Sequence, residues 1–304
     1  STLELMKILE EADLPEGLIN VVTGFGPTTG APLIEHQDVR MISFTGGTKG
    51  GSAASLSASK NVKPIIMELG GKSPQIIFKD ADLTLSVNGV VSGIFPVSGH
   101  SCISGSRILV HKDIKDKFTH NLLEVVKKAK VGHPNDTATQ IGPIANKEQY
   151  EFILSKIESA EKRGLKLLID GRKEQKSEGY YIGPTIFDNV PNEDDLAQNE
   201  VFGPVASIQT WEDEDEVIKI ANDTIYGLAA GIWTKDTNKA IRLADMIEAG
   251  TVYINNYFNA STQSPVGGFK QSGYGRENGW EGMQSYMQTK STWLATNPYQ
   301  PNPF

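Results

Sequence analysis

The sequence predicts an α/β fold with a mostly parallel sheet, because strand and helix patterns alternate along it. Short runs of branched apolar residues, typical of buried strands, are separated by segments with apolar residues at three- and four-residue steps. Glycine-rich turns join several of these strands to the helices that follow. Strand–helix–strand order of this kind places neighbouring strands parallel to one another.

A helix rather than a strand opens the chain. Apolar residues recur with helical spacing over residues 3–12, and the first predicted strand, Ile19–Val22, comes afterwards. A parallel sheet is built from strand, helix and strand in turn, so this helix has no preceding strand to follow. We therefore expect the chain to be a fragment of a longer protein that supplies the first strands.

Two glycine-rich turns follow the first two predicted strands. The turn at 24–30 has the spacing G-x-G-x-x-x-G, which differs from the strict dinucleotide fingerprint, and a plain loop explains it at least as well. The second strand, Arg40–Phe44, is followed by Thr45–Gly51 and a helix over 52–59. Two such units in succession predict a phosphate-binding lobe, because helix N-termini attract anions.

Glu68 follows the third predicted strand, Pro64–Met67, and precedes two glycines. Ligands of open α/β sheets bind at the carboxyl ends of the strands, which makes Glu68 a candidate site residue. The alternative is a surface glutamate near a turn.

Cys102, the only cysteine, ends the loop 95–102. A single cysteine excludes an internal disulfide and a cysteine-based zinc cluster. Most lone cysteines are small buried apolar residues, but this loop is polar and contains glycine, which favours an accessible thiol. His100 is a possible base for it, although an irregular loop gives no geometric support.

The remaining elements continue the alternation. The last pattern, 285–293, is rich in β-formers and has no neighbouring strand in sequence, so we expect a terminal strand that pairs elsewhere, as in another subunit. We divide the chain into a partial nucleotide-binding lobe (1–70), a catalytic domain (71–269) and a carboxyl-terminal return and oligomerisation segment (270–304). Further strands are predicted at 75–78, 108–110, 166–169, 180–187, about 205–209, 229–234 and 251–254, and helices at 82–94, 113–130, 146–163, 215–222 and 236–248.

Composition argues against several functional classes. The formal net charge of −8 weakens any nucleic-acid interpretation, since phosphate binding requires clustered Lys and Arg. The five histidines show no metal-ligand spacing, so we expect no metal site. No apolar run is long enough to span a bilayer, and no basic-then-apolar signal opens the sequence. A cytoplasmic location is the resulting default.

Four motifs, in order, resemble those of the NAD(P)-dependent aldehyde dehydrogenases, and the resemblance covers essentially the whole chain. Met67–Pro74 resembles the glutamate signature of that family and Gly99–Cys102 its cysteine signature, at a matching separation. Asn199–Pro204 resembles the ribose-binding turn, and Val266–Asn278 resembles a conserved segment near the carboxyl end.

The resemblance implies a role for each matching residue. Cys102 is the nucleophile and Glu68 the general base. The implied cofactor contacts are Gly26, Pro27 and Gly30 on the adenine side, Gly46 and Gly47 at the pyrophosphate, Leu69 at the nicotinamide, and Glu200, Phe202 and Gln149 at the riboses. The implied fold is aldehyde dehydrogenase-like, with a partial Rossmann-type lobe, and the protein is expected to form a dimer or tetramer.

The implied reaction oxidises a small aldehyde to a carboxylic acid with NAD, or with NADP. The thiolate adds to the carbonyl, hydride leaves, and water activated by Glu68 hydrolyses the resulting thioester. Family members often have Gln at the position of His100 and Ser at that of Gly47. Aromatic pocket residues of some members are replaced here by Pro96, Ala260 and Val266, which predicts a wider or differently shaped acyl pocket.

By resemblance, roughly 190 to 200 residues precede this point in the family, including an oxyanion-hole Asn and the strands that discriminate NAD from NADP. We therefore expect this chain alone to oxidise aldehydes weakly or not at all. Two other interpretations stay open. One is a cysteine esterase or acyl-transferase that needs no nicotinamide, and the other is a non-catalytic fragment that associates with full-length subunits.

Overall fold

Helices and strands alternate along the chain in the predicted order. The computed structural model describes residues 2–174, 176 and 178–304. The helices are α1 (Thr2–Glu11), α2 (Ala31–Glu35), α3 (Thr48–Ser59), α4 (Leu83–Ser92), α5 (Lys115–Val126), α6 (Lys147–Lys162), α7 (Asp195–Gln198), α8 (Glu214–Asn222), α9 (Thr237–Met246) and α10 (Gly279–Ser285). The strands are β1 (Ile42–Thr45), β2 (Ile65–Glu68), β3 (Pro74–Ile77), β4 (Arg107–His111), β5 (Lys166–Ile169), β6 (Thr185–Asp188), β7 (Val205–Trp211), β8 (Tyr226–Gly227), β9 (Ala229–Trp233), β10 (Thr251–Ile254), β11 (Phe269–Lys270) and β12 (Gly273–Tyr274).

The largest sheet has seven strands in the order β10-β9-β3-β4-β7-β6-β5. Neighbouring strands are parallel except β5, which runs antiparallel to β6 at one edge. Alternate side chains of β3 point to opposite faces: Ile77 packs with α4 and α5, and Ile76 packs with α8 and α9. Helices cover both faces, which explains why the central strands are continuous apolar runs.

A smaller sheet has the order β1-β2-β12. β1 and β2 are parallel, and Thr45 lies opposite Glu68. β12 pairs antiparallel with the other side of β2 and places Gly273 opposite Glu68. Because strands flank β2 on both sides, the end of β2 is held in place together with its last residue, Glu68.

Acidic and amide side chains fix where several helices begin. Asp82 accepts a hydrogen bond from the main-chain N–H of Leu85 at 2.9 Å at the start of α4. Asn146 accepts one from Gln149 at the start of α6. Each such bond satisfies one of the free N–H groups of the first helical turn.

The predicted strand Ile19–Val22 is wrong. These residues form no ladder with any strand of the described chain, and Ile19 and Val22 are exposed. The apolar run at 19–22 is typical of a strand, but a strand also requires a neighbour whose N–H and C=O groups complete its hydrogen bonds.

The predicted terminal strand at 285–293 is also wrong for the chain as described. α10 ends at Ser285, and the residues after it are irregular, with Trp293 94% exposed. The cause is the same: no described strand lies beside this segment. The predicted strand at 180–187 begins only at Thr185. The glycine-rich segment 264–276 contains the short strands β11 and β12.

None of the helices in the described ranges is both long and apolar enough to cross a membrane. Within residues 2–174, 176 and 178–304, no three His, Cys, Asp or Glu side chains are grouped so as to hold a metal ion.

Candidate active site

Glu68 is the last residue of β2, and the chain after it is clamped by Ser272. The main-chain N–H of Leu69 donates to the carbonyl oxygen of Ser272 at 2.9 Å. The Ser272 hydroxyl donates to the carbonyl oxygen of Gly70 at 2.6 Å and accepts from the N–H of Gly227 at 2.9 Å. The carboxyl-terminal segment therefore fixes the direction in which the chain leaves Glu68.

Cys102 lies in the loop between α4 and β4. A short turn, Pro96–Gly99, in which Val97 and Ser98 have positive φ, precedes it, and the buried Tyr257 hydroxyl donates to the carbonyl oxygen of Ile103 at 2.8 Å. The cysteine is half-buried. The loop is thus anchored on both sides of a partly accessible thiol.

Gly70 and Gly71 pass between the cysteine loop and the turn that carries Glu200. A Cβ atom on Gly71 would overlap the carbonyl oxygen of Cys102, and one on Gly70 would overlap the Glu200 carboxylate. The N–H of Gly71 donates to Oε1 of Glu200 at 3.1 Å. At Gly71 the overlapping atom belongs to the backbone, so only glycine permits this approach there, whereas a Cβ at Gly70 would require the Glu200 carboxylate to shift.

These elements enclose a cleft of about 560 Å³, a size typical of small-molecule sites. It brings together Glu68 and Cys102 with six of the residues that the resemblance assigned to the cofactor. Its lining residues are Thr45, Gly46, Gly47, Glu68, Leu69, Gly70, His100, Ser101, Cys102, Gln149, Phe152, Glu200 and Phe202.

Gly26, Pro27 and Gly30 do not line this cleft. They form the turn immediately before α2, and α2 packs against α3, whose N-terminus follows Gly46 and Gly47. The structure therefore places this turn on the same lobe as the cleft but outside it.

Burial dominates the electrostatics of Glu68. The residue is 6% exposed, and its carboxyl oxygen Oε1 has no hydrogen-bond partner among the described residues. Burial, reinforced by the negative charge of Glu277 and opposed by Arg276, raises the pKa of Glu68 to about 7. A carboxyl group with a pKa near 7 can both accept and release a proton at neutral pH.

The thiol of Cys102 is harder to ionise than a free cysteine. Burial raises its pKa, as do the negative charges of Glu200 and Glu68, whereas the N–H groups of Ile103 and Cys102 act in the opposite direction. Burial also raises the pKa of Glu200, although the hydrogen bond from Gly71 and the charge of Lys72 oppose that shift. Burial therefore favours the protonated form of all three acidic groups in this partly desolvated space.

Two residues with clear roles in this arrangement were missed by the sequence analysis. Glu277, which lies inside the predicted carboxyl-terminal motif, accepts from the Ser43 hydroxyl at 2.6 Å and acts on Glu68 through its charge. Ser272 clamps the chain after Glu68. A carboxylate and a hydroxyl in a glycine-rich segment were the available signals, but the pairing of β12 with β2 was not evident from sequence.

Several observations fit a bound dinucleotide. Beside Gly26, Gly30 and Gly47, the space that a Cβ would occupy contains no atom within 4 Å, so a ligand can approach the backbone there. Gly47 immediately precedes the twelve-residue helix α3, whose N-terminus attracts phosphate. Gln149 donates from Nε2 to the carbonyl oxygens of Val201 and Phe202 at 2.9 and 3.0 Å, which holds the turn that presents Glu200 and Phe202.

Comparison with known proteins gives consistent matches. The family model described as "Aldehyde dehydrogenase family" matches residues 1–292. Aldehyde dehydrogenase 1A1 of Gallus gallus is 45% identical over 292 residues, which cover 96% of this chain and 57% of that protein. Betaine aldehyde dehydrogenase of Bacillus subtilis is 41% identical over 307 residues, covering 100% of this chain and 63% of that protein.

Solved structures show the same fold. Betaine aldehyde dehydrogenase of Staphylococcus aureus in complex with NAD+ superposes with a TM-score of 0.95 at 39% identity, covering 100% of this chain and 61% of that one. The NAD+ complex of aldehyde dehydrogenase from Bacillus cereus gives 0.95 at 36% identity, covering 97% and 60%. The chain thus spans about three-fifths of the length of the proteins it matches.

Replacing Glu277 with Gln should lower the pKa of Glu68. The substitution removes a like charge that disfavours ionisation of Glu68, but burial remains, so the pKa should stay above the ordinary value for a glutamate. A ¹³C NMR titration of the Glu68 carboxyl carbon measures it. Glu281→Gln, four residues further along and not among the charges that shift Glu68, is the control. An unchanged or higher pKa in Glu277→Gln contradicts this account.

Proposed function

Because this chain belongs to the aldehyde dehydrogenase family, we propose that it carries the nucleophile and base of an NAD-dependent oxidation of aldehydes to carboxylic acids. The observation that carries the proposal is the single cleft in which Cys102, Glu68 and the residues Leu69, Glu200 and Phe202 meet. The chain spans 57% of one curated relative and 63% of another, so the activity of the whole protein is part of the proposal.

The first step requires an ionised sulfur atom. The raised pKa of Cys102 leaves the thiol protonated near neutral pH, so a proton acceptor is needed, and Glu68 is the carboxylate of the cleft whose pKa of about 7 suits that role. Sulfur then adds to the aldehyde carbon, and the carbonyl oxygen becomes an oxyanion. This oxyanion needs hydrogen-bond donors to stabilise its charge.

Loss of hydride from the same carbon re-forms the carbonyl group as a thioester on Cys102. When bound, NAD supplies the acceptor for this hydride. The residues of the cleft would hold it: Gly46 and Gly47, which precede α3, at its pyrophosphate, and Glu200 and Phe202, which also line the cleft, at its ribose.

Hydrolysis of the thioester completes the cycle. Glu68 first releases to solvent the proton that it took from Cys102. It then takes a proton from water, hydroxide adds to the thioester carbon, and the carbon–sulfur bond breaks to release the carboxylic acid, which ionises in water, and the Cys102 thiolate. The carboxylate form of Glu68 is required, so this step should accelerate as the pH rises through about 7 and then level off.

Assembly into a homo-oligomer, a cytoplasmic location and the choice between NAD and NADP stay predictions. The carboxyl-terminal residues Trp280, Tyr286 and Trp293 are exposed, which supports association through this end. Light scattering of the chain with and without residues 285–304 tests it, and an unchanged molar mass per particle would remove the support.

Binding of NAD+ separates the dehydrogenase from a cysteine esterase or acyl-transferase. NAD+ should raise the midpoint of thermal unfolding, because a ligand that binds only the folded chain stabilises it. Glu200→Gln should reduce that shift, since Glu200 is a cleft residue proposed to hold the ribose. An absent shift in the native chain favours the esterase interpretation.

Glu68→Gln should trap the acyl-enzyme. The variant is treated with excess 4-nitrophenyl acetate, an ester that needs no cofactor, at alkaline pH, where the thiol ionises without Glu68. Acetyl transfer to Cys102 should then occur, but release of acetate should slow by about 10²- to 10⁴-fold because the general base is missing. Intact-protein mass spectrometry should show the acetyl adduct accumulating in Glu68→Gln and absent in Cys102→Ser. Rapid deacylation in Glu68→Gln at the native rate would exclude Glu68 as the base.

A further inference from the structure

His100 makes an aromatic contact that links the two walls of the cleft. Its imidazole ring stacks on the ring of Phe202, with centroids 5.5 Å apart and planes inclined by 24°. Nε2 of His100 is buried and has no hydrogen-bond partner among the described residues. Burial also lowers the pKa of His100, so the ring is neutral near pH 7 and meets Phe202 as an aromatic ring rather than as a cation.

The same two segments also touch through their backbones. A Cβ on Gly99 would overlap the carbonyl group of Gly203, so the chains cross at van der Waals contact there, and Gly99 has a φ of +71°. The turn is also held by the two hydrogen bonds from Gln149 to the carbonyl oxygens of Val201 and Phe202. Its position is therefore fixed, and the Phe202 ring that it carries contacts the cysteine loop through His100.

We propose that His100 is a positioning residue that couples Phe202 to Cys102. His100 is two residues before the cysteine, so a displacement or immobilisation of the Phe202 ring is passed through the stacked imidazole to the loop that carries the sulfur. The positioning role rests on the stack itself. Its consequence for catalysis rests on the proposed function: a nicotinamide nucleotide that contacts Phe202 would thereby also set the position of the thiol.

The coupling can be measured without any cofactor. Cys102 is the only cysteine, so the rate of alkylation by iodoacetamide, followed by mass spectrometry, reports on this thiol alone. Rates are compared in the native chain, His100→Ala, Phe202→Ala and the double variant, with circular dichroism confirming the fold of each.

His100→Ala should change the alkylation rate by about two- to tenfold, the range expected for loss of one aromatic pair. In the Phe202→Ala background the same substitution should have little further effect, because the partner ring is already gone. His100→Phe should preserve the native rate, since it retains the stacked ring and removes the ring nitrogens. Equal effects of His100→Ala in both backgrounds, or a His100→Phe variant that behaves like alanine, would overturn the proposal.

Two further variants serve as a control for the loss of an aromatic pair and as a substitute for the alanine variant. Tyr180→Ala removes an aromatic pair of the same 5.5 Å separation, with Tyr150, that does not line the cleft, and it should leave the rate unchanged. His100→Gln keeps the polarity without an aromatic ring and replaces His100→Ala in the cycle if the alanine variant does not fold.

Adding NAD+ extends the test to the proposed function. The NAD+-induced change in alkylation rate should be smaller in His100→Ala than in the native chain. A change of equal size would mean that NAD+ acts only by shielding the sulfur, which contradicts transmission through His100. The alkylation rates without NAD+ could show that the effects of the His100 and Phe202 substitutions depend on each other, while NAD+ leaves the rates unchanged. That result would support the positioning role of His100 and contradict the proposal that NAD is the cofactor.

Discussion

The passage of Gly70 and Gly71 between the cysteine loop and the Glu200 turn is the constraint on which the site depends. The carbonyl oxygen of Cys102 occupies the position that a side chain at residue 71 would take. The carboxylate of Glu200 does the same at residue 70. Glu68 lies just two residues earlier, at the end of β2. The relative positions of Glu68, Cys102 and Glu200 therefore follow from one short piece of main chain.

The same crowding sets the chemistry. A thiol and two carboxyl groups lie around a cleft that partly excludes water, and burial raises the pKa values of Glu68, Cys102 and Glu200. The negative charges of Glu200 and Glu68 raise the pKa of Cys102 further. A thiol kept neutral at rest is less open to oxidation and alkylation than a thiolate would be. Glu68, with a pKa of about 7, is the member best able to exchange a proton at neutral pH.

Local patterns in the sequence identified most of this arrangement. The buried strands around Ile76 and Ile108 are continuous apolar runs. Glu68 follows a strand and precedes two glycines, and Cys102 ends a glycine-containing loop, so both were recognisable as reactive side chains in candidate site positions. Two predicted strands were wrong because a strand needs a hydrogen-bonded neighbour. The segments Ile19–Val22 and 285–293 have strand-like composition but no neighbouring strand in the described chain. Glu277 and Ser272 were overlooked for a related reason, since their contacts with the smaller sheet exist only because β12 returns across more than two hundred residues to pair with β2.

The most direct test of this account is the acylation rate of Cys102 in Gly71→Ala, measured as the initial release of 4-nitrophenolate from 4-nitrophenyl acetate. The added methyl group must displace the cysteine loop or the chain after Glu68, and misplacement of a reacting group by about 1 Å can cost about 100-fold in rate. Gly142→Ala is the control, because a Cβ there lies 4.0 Å from the Ser98 hydroxyl oxygen and fits on the other side of the same loop. The account predicts a folded Gly71→Ala chain with severely slowed acylation and a Gly142→Ala chain with the native rate. A folded Gly71→Ala chain that acylates as fast as the native one would contradict it.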